Sequence, residues 1–356
     1  MDIQEIKDLQ TVDLIGVKLE GVDLHKADLQ EIKLISANLN GANLNEACLE
    51  KADLQGAKLR KVNLQRAKLR EANLQGADLQ EANIEEANLV GTVLQMANLY
   101  GVNLTGADLQ GTNFYGADLQ EANLQGVNLQ EADLIGVNFQ GANLMGANLQ
   151  GANLQGADLQ EANIEKANLK GVNLTGADLE KANLKEANLE KADLQEANLQ
   201  EANLQEVNLK EADLQGSNLK RANLLKADLR KANLEGAKIK NANLKEAILI
   251  EANLEEAKLK DSSLQGANLE EALLIKTNLK GANLKEANLA KVNFIKANFK
   301  GANLKGANLN EAKLKEAQHL SIDQLSKVKT LLNAKLDDEM FMILKKKHPA
   351  LFKSSK

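Results

Sequence analysis

From Leu9 to Leu314 every fifth residue is Leu, Ile or Phe, without a slip. The departures from Leu are conservative: Ile84, Ile164, Ile239, Phe114, Phe139, Phe294 and Phe299. Two residues before each of these, from Val12 on, stands a small or β-branched residue, usually Ala, and the residue between is mostly Asn or Asp. The unit reads Ala-Asn/Asp-Leu-x-x. On an α-helix five residues advance about 500°, so the leucines would spiral over every face. In a straight strand five is odd, and successive leucines would point to opposite sides. The conflict disappears if each repeat is one short side of a coil with a corner after it. Ala and Leu, two apart, then both point inward and the x-x pair turns the chain.

The period of five alone does not separate three sides from four. Longer patterning favours four: the middle position is Asn at every twentieth residue from Asn43 to Asn243, lapses at Ser263 and resumes at Asn283 and Asn303. A second column of the same spacing is rich in Gly, at Gly56, Gly76, Gly116, Gly136, Gly156, Gly176, Gly216 and Gly236.

With these columns in view, the chain resembles the pentapeptide-repeat family, whose signature matches Ala-Asn-Leu-Gln-Gly as at Ala72 to Gly76. The resemblance implies an all-β fold, a right-handed quadrilateral parallel β-helix with the Leu and small residues inside, over residues 12–316. Roughly 15 coils at about 4.8 Å would make a rod about 75 Å long. Only 2% of the residues are aromatic and Trp is absent, so the interior is expected to be aliphatic and solid, with no ligand cavity.

Repeat arrays need covered ends. Residues 1–11, with Ile3, Ile6 and Leu9, are expected to cover the first coil. The pattern stops after Ala317, and residues 317–356 are expected to form a helical cap. Ser321 to Gln324 has the form of a capping box, with Ile322, Leu325, Val328, Leu331 and Leu332 at helical spacing behind it. A second helix, roughly Asp337 to Lys347, ends at His348-Pro349. These helices are read as covering the last coil; the resemblance also implies a homodimer contact, as C-terminal helices serve in some relatives.

Nothing in the sequence has the spacing of a catalytic or metal site. His25, His319 and His348 are far apart along the chain, and Cys48 is the only cysteine. Corner glycines lack the following helix of a phosphate loop. No catalysis and no cofactor are therefore expected. Met1 to Thr11 shows no apolar run of a secretory signal, no stretch is long enough to span a bilayer, and the net charge of −6 favours neither nucleic acid nor an anionic membrane. The expected partner is a protein, and the expected compartment the cytoplasm.

Charge is the one uneven feature. From Glu71 to Glu165 there is no Lys or Arg, while thirteen residues are acidic. Spread over about 23 Å of coil, that is one negative charge per roughly 1.8 Å, close to the ~1.7 Å of duplex DNA. Ala-Asp-Leu-Gln-Glu recurs at Ala77, Ala117 and Ala157. On four-sided coils this aligns Asp78 and Glu81, Asp118 and Glu121, and Asp158 and Glu161 along one edge, with Tyr100 among them. Some members of the family resemble duplex DNA in shape and charge, bind type II topoisomerases such as gyrase and protect them from quinolones. The resemblance therefore implies such a partner as the alternative to a general interaction rod. Against it stand the lysine-rich C-terminal half and the sharing of charge among four sides. A second candidate docking surface is the charge-poor stretch Leu134 to Ala157, with Ile135, Phe139 and Met145 among glycines and Phe139 pointing inward.

Overall fold

The computed structural model describes residues 13–354, which fall into two compact units, one up to Asn183 and one from Leu184. The covering role read for residues 1–11 lies outside the described residues.

In the first unit every bridge is parallel and joins residues twenty apart, from Asp13 with Lys33 to Asn163 with Asn183. Four such columns run side by side, beginning at Asp13, Lys18, Asp23 and Asp28. The coil therefore has four five-residue sides.

The repeat at Ala42 to Glu46 shows why this sequence holds that path, because all five of its backbone N–H groups find acceptors. Ala42 closes the preceding corner on the Leu39 carbonyl at 3.0 Å. Asn43 donates back one coil to Val22 at 2.9 Å, while Leu44 and Glu46 donate forward one coil to Asn63 at 2.7 Å and Gln65 at 2.9 Å. The fifth, on Asn45, is taken by the side-chain oxygen of Asn43 at 3.3 Å. The middle residue is thus Asn or Asp because only a short side-chain carbonyl reaches the N–H two residues on. Asn does more than Asp. Its amide donates along the column, as in Asn63 to Asn43 at 3.2 Å, Asn143 to Asn123 at 3.1 Å and Asn163 to Asn143 at 3.1 Å.

The last residue of each repeat carries a positive φ, for example Gly56 at 63° and Glu81 at 56°. That is the third position of a type II turn. Glycine is the unstrained choice, yet Glu and Lys occupy many of these corners, because their side chains stand clear of the coil and the ladder bonds on either side hold the backbone.

Ala and Leu positions line the interior and are almost wholly excluded from solvent, with Phe114 and Phe139 as the largest members in this unit. Thr92 and Thr112 take the small inward position, and their hydroxyls donate to the Leu69 and Leu89 carbonyls at 2.8 and 3.0 Å. That bond removes the cost of burying a hydroxyl among aliphatic side chains.

The second unit follows the same rule from Asn188 with Asn208 to Asn298 with Gln318. Phe294 and Phe299 meet edge to face inside it, their centroids 5.0 Å apart. The spacing then changes: Asn308 pairs with Thr330 and Lys313 with Lys335. Helix α1 (Ile322–Ser326) stands where one side of the coil would have been. Ser321 caps it in the expected reciprocal box with Gln324. The Gln324 side-chain amide donates to the Phe299 and Ala302 carbonyls at 2.9 and 2.8 Å, in place of the missing strand.

The helical spacing of Val328, Leu331 and Leu332 does not extend this helix. After Ser326 the chain returns to the ladder, with Lys329 N–H on Ala307 at 2.9 Å and Lys335 N–H on Ala312 at 2.8 Å. Unpaired strand groups on the preceding coil recruit this segment more strongly than its helical pattern could hold it. Helix α2 (Asp338–Lys347) and the 3₁₀ turn Pro349–Phe352 follow. Leu325, Leu331, Leu336 and Leu344 are buried, and Leu331 N–H donates to the Leu351 carbonyl at 2.7 Å.

Candidate interaction edge

The ladder of the first unit brings the recurrent acidic residues onto one edge. Asp78, Asn98, Asp118, Asn138 and Asp158 occupy successive coils of one column. Each aspartate has a local task first: its Oδ1 accepts the N–H of Gln80, Gln120 or Gln160 at 3.3, 3.1 and 3.0 Å. Glu81, Glu121 and Glu161 sit at the adjoining corners with φ of 56°, 57° and 58°, alternating with Gly101 and Gly141. A Cβ on Gly101 would lie 3.8 Å from Glu81 Cγ and one on Gly141 3.7 Å from Glu121 Cγ, so these two glutamate stems fold over the glycine of the next coil.

Tyr100 stands on the coil between. Its hydroxyl donates to Glu121 Oε2 at 2.9 Å, and this hydrogen bond, reinforced by the Glu121 charge, raises the phenol above its ordinary range.

The linear sequence hides a feature of this edge. Cations outside the segment 71–165 are brought onto its ends by the twenty-residue period. Arg60 Nε lies 3.3 Å from Asp78, Lys61 Nζ 3.3 Å from Glu81 and Lys181 Nζ 3.5 Å from Glu161. Arg66 meets Glu86 at 2.6 Å. Among the described residues, Asp118, Glu121 and Asp158 form the part of the edge without an ion pair, with Tyr100 bound to its centre.

The apolar candidate is less open than the sequence implied. Phe139 points inward as read, but Ile135 and Met145 are half-buried. The exposed apolar side chains of this unit are instead Ile15, Met96 and Tyr115. The last two lie on the glycine-rich corner: Met96 N–H donates to the Tyr115 carbonyl at 2.9 Å, and a Cβ on Gly116 would meet Met96 Sδ at 2.7 Å. Adding twenty to Gly76 would have found Met96, and Tyr115 immediately precedes Gly116.

Elsewhere the chemistry is sparse. Among the described residues no group of three or more His, Cys, Asp or Glu side chains could hold a metal ion. His25 uses Nδ1 on the Asn45 carbonyl at 3.0 Å, and Cys48 occupies a half-buried middle position in the ladder. No helix among the described residues is long and apolar enough to cross a membrane.

Five-residue sides, four to a coil, with a filled aliphatic interior define a β-solenoid whose chemistry is confined to its outer columns. The family model described as pentapeptide repeats matches from residues 13–50 to 277–315 with little interruption, and the chain belongs to that family. Its fold is accordingly a right-handed quadrilateral β-helix followed by a short helical C-terminal part. Among solved structures, the chain is similar to HetL, a pentapeptide repeat protein involved in heterocyst differentiation regulation from the cyanobacterium Nostoc sp. strain PCC 7120. The identity is 35%, over 66% of this chain and 88% of that one, with a TM-score of 0.24. Rfr23, from the cyanobacterium Cyanothece 51142, is 26% identical over 38% of this chain and 88% of its own, with a TM-score of 0.23. The plasmid-mediated fluoroquinolone resistance protein QnrB1 is 17% identical over 60% and 94%, with a TM-score of 0.28. No curated protein matches the chain.

Proposed function

We propose that this protein is a non-catalytic structural or protein-interaction scaffold working in the cytoplasm, with residues 12–316 as the scaffold and residues 1–11 and 317–356 as its caps. The observation that carries this reading is the division of labour within the repeat. Inward residues fill the interior, middle residues hold the corners, and what remains is a fixed lattice of outward side chains. Such a lattice suits docking, because its side chains stand on a backbone whose N–H groups are already satisfied. Affinity capture from the native host tests it. A stoichiometric protein partner, lost on substitution of exposed lattice residues, is the expected result; the absence of any stoichiometric protein overturns it.

A second reading rests on the cation-free centre of the acidic edge, Asp118, Glu121 and Asp158 with Tyr100: a DNA-like surface that binds a type II topoisomerase such as gyrase. Arg60, Lys61 and Lys181 shorten that surface relative to the linear charge run, and the general scaffold is therefore the first reading. A supercoiling assay separates the two. The DNA-like reading requires inhibition or quinolone protection at micromolar protein, abolished by Asp118→Lys with Glu121→Lys at an unchanged melting temperature. No effect on gyrase removes it.

A further inference from the structure

Corner lysines in the second unit usually face a glutamate one coil away. Lys231 lies 3.6 Å from Glu251, Lys276 2.7 Å from Glu256 and Lys291 2.7 Å from Glu271. One column departs from this rule. Lys220, Lys240, Lys260, Lys280 and Lys300 follow one another on five successive coils, each carbonyl accepting the N–H of the corner residue one coil before, as in Arg221 to Lys240 at 3.0 Å and Asp261 to Lys280 at 2.9 Å. Lys238 and Lys258 stand beside them in the adjoining ladder. Lys220, Lys238, Lys240, Lys258 and Lys260, with Asn278, line a groove of about 340 Å³. Among the described residues, Lys260 alone of these lysines has an ion pair, with Asp261 at 3.7 Å. Like charges stacked at the coil spacing of about 4.8 Å repel one another. Elsewhere in this unit's five-residue repeats like charges stack on two successive coils at most, as at Asp193 and Asp213.

We propose that this lysine face docks on a second copy of the chain, against that copy's acidic edge centred on Asp118, Glu121 and Asp158. Three properties of the two surfaces point to this occupant. The signs are complementary. The lengths agree, since Lys220 to Lys300 and Asp78 to Asp158 each span four coil spacings, about 19 Å. The pitches are commensurate, because both surfaces are built on the same ladder: acids on alternate coils face every second lysine, and aligning one such pair aligns the others. An extended peptide places like-facing side chains about 6.6 Å apart and drifts out of register within two or three coils. The surface ion pairs at Asp78, Glu81 and Glu161 exchange readily for intermolecular ones, since exposed pairs contribute little where they are. This goes beyond the scaffold reading, which concerns a different protein as partner and is tested by capture.

Sedimentation velocity of the full chain at tens of micromolar, in about 20 mM and about 300 mM salt, tests the proposal; the Debye length shrinks severalfold between them. Expected is a mass above the 38.6 kDa of one chain at low salt and a single chain at high salt. Lys238→Glu with Lys240→Glu and Lys258→Glu should weaken association at least tenfold, and so should Asp118→Lys with Glu121→Lys. Mixing the two variants should restore it, which a folding defect would not allow; circular dichroism checks each alone. A single chain at low salt overturns the proposal. So does association that survives both charge reversals, or a wild-type chain that stays single while binding a 20-base-pair duplex through the lysines.

Discussion

Tyr100 and Glu121 are the residues whose chemistry the ladder changes most directly. The phenol is raised because its hydroxyl donates a hydrogen bond to the Glu121 carboxylate one coil away. For an acid of this kind the bond stabilises the protonated form. Its contribution is complete below the unfolded phenol value of about 10 and is lost as pH rises through the higher folded value. Ultraviolet titration of a Tyr115→Phe background, in which Tyr100 is the remaining tyrosine, should show a phenol titrating above that value, and Glu121→Gln should lower it. Corner residues follow a different constraint. Gly156 has a φ of 63°, and nothing lies within 4 Å of where its Cβ would be. Glu161, at the next corner along the chain, already tolerates 58°. Gly156→Lys should therefore cost only the intrinsic penalty of a left-handed backbone, about 1 kcal/mol. Gly156→Val should cost more, because branching at Cβ crowds that conformation. Chemical denaturation measures both.

A single side of the coil is stabilised through its neighbours in the column. Asn143 accepts the Met145 N–H at 3.3 Å, donates to Asn123 at 3.1 Å and accepts from Asn163 at 3.1 Å. Asn143→Ala removes all three, and a loss of about 1–2 kcal/mol is expected after water replaces some of them. Asn143→Asp keeps both accepted bonds and should lose less. Inside the same side, Leu144 is fully buried, and Leu144→Ala should cost about 3 kcal/mol because a filled aliphatic interior closes poorly over a cavity. The regularity that lets these figures be stated was legible in the sequence, since the period of five assigns each residue an inward, middle or corner place. Element identity near the C terminus was not. Val328, Leu331 and Leu332 have helical spacing, but Ala307, Leu309 and Ala312 on the preceding coil carry backbone groups that pair with this segment. A local pattern of five residues cannot compete with a ladder waiting for a strand.

For the molecule as a whole, the C-terminal segment is the part whose removal should matter most. Leu325, Val328, Leu331, Leu336 and Leu344 are buried there, and the strand pairings at Thr330 and Lys335 complete the last coil. Deleting residues 318–356 should expose both apolar surface and strand edges. The expected outcome is a lower melting temperature and aggregation on heating; a truncated chain that stays soluble and equally heat-stable would refute the capping role.

Sequence alone determined the solenoid and its inward columns, because they follow from the period of five; the columns at twenty favoured four sides and, on four sides, the acidic edge, and the ladder of the structure fixed that period. Tertiary structure alone decided which charges neutralise one another. Lys61, Lys181 and Arg60 lie outside the acidic run in sequence yet beside it in space, since closing each coil makes residues twenty apart nearest neighbours. It also decided that Ile15, Met96 and Tyr115, not Ile135 and Met145, are the open apolar side chains of the first unit, and that the lysines from Lys220 to Lys300 share one face on which only Lys260 has an ion pair among the described residues.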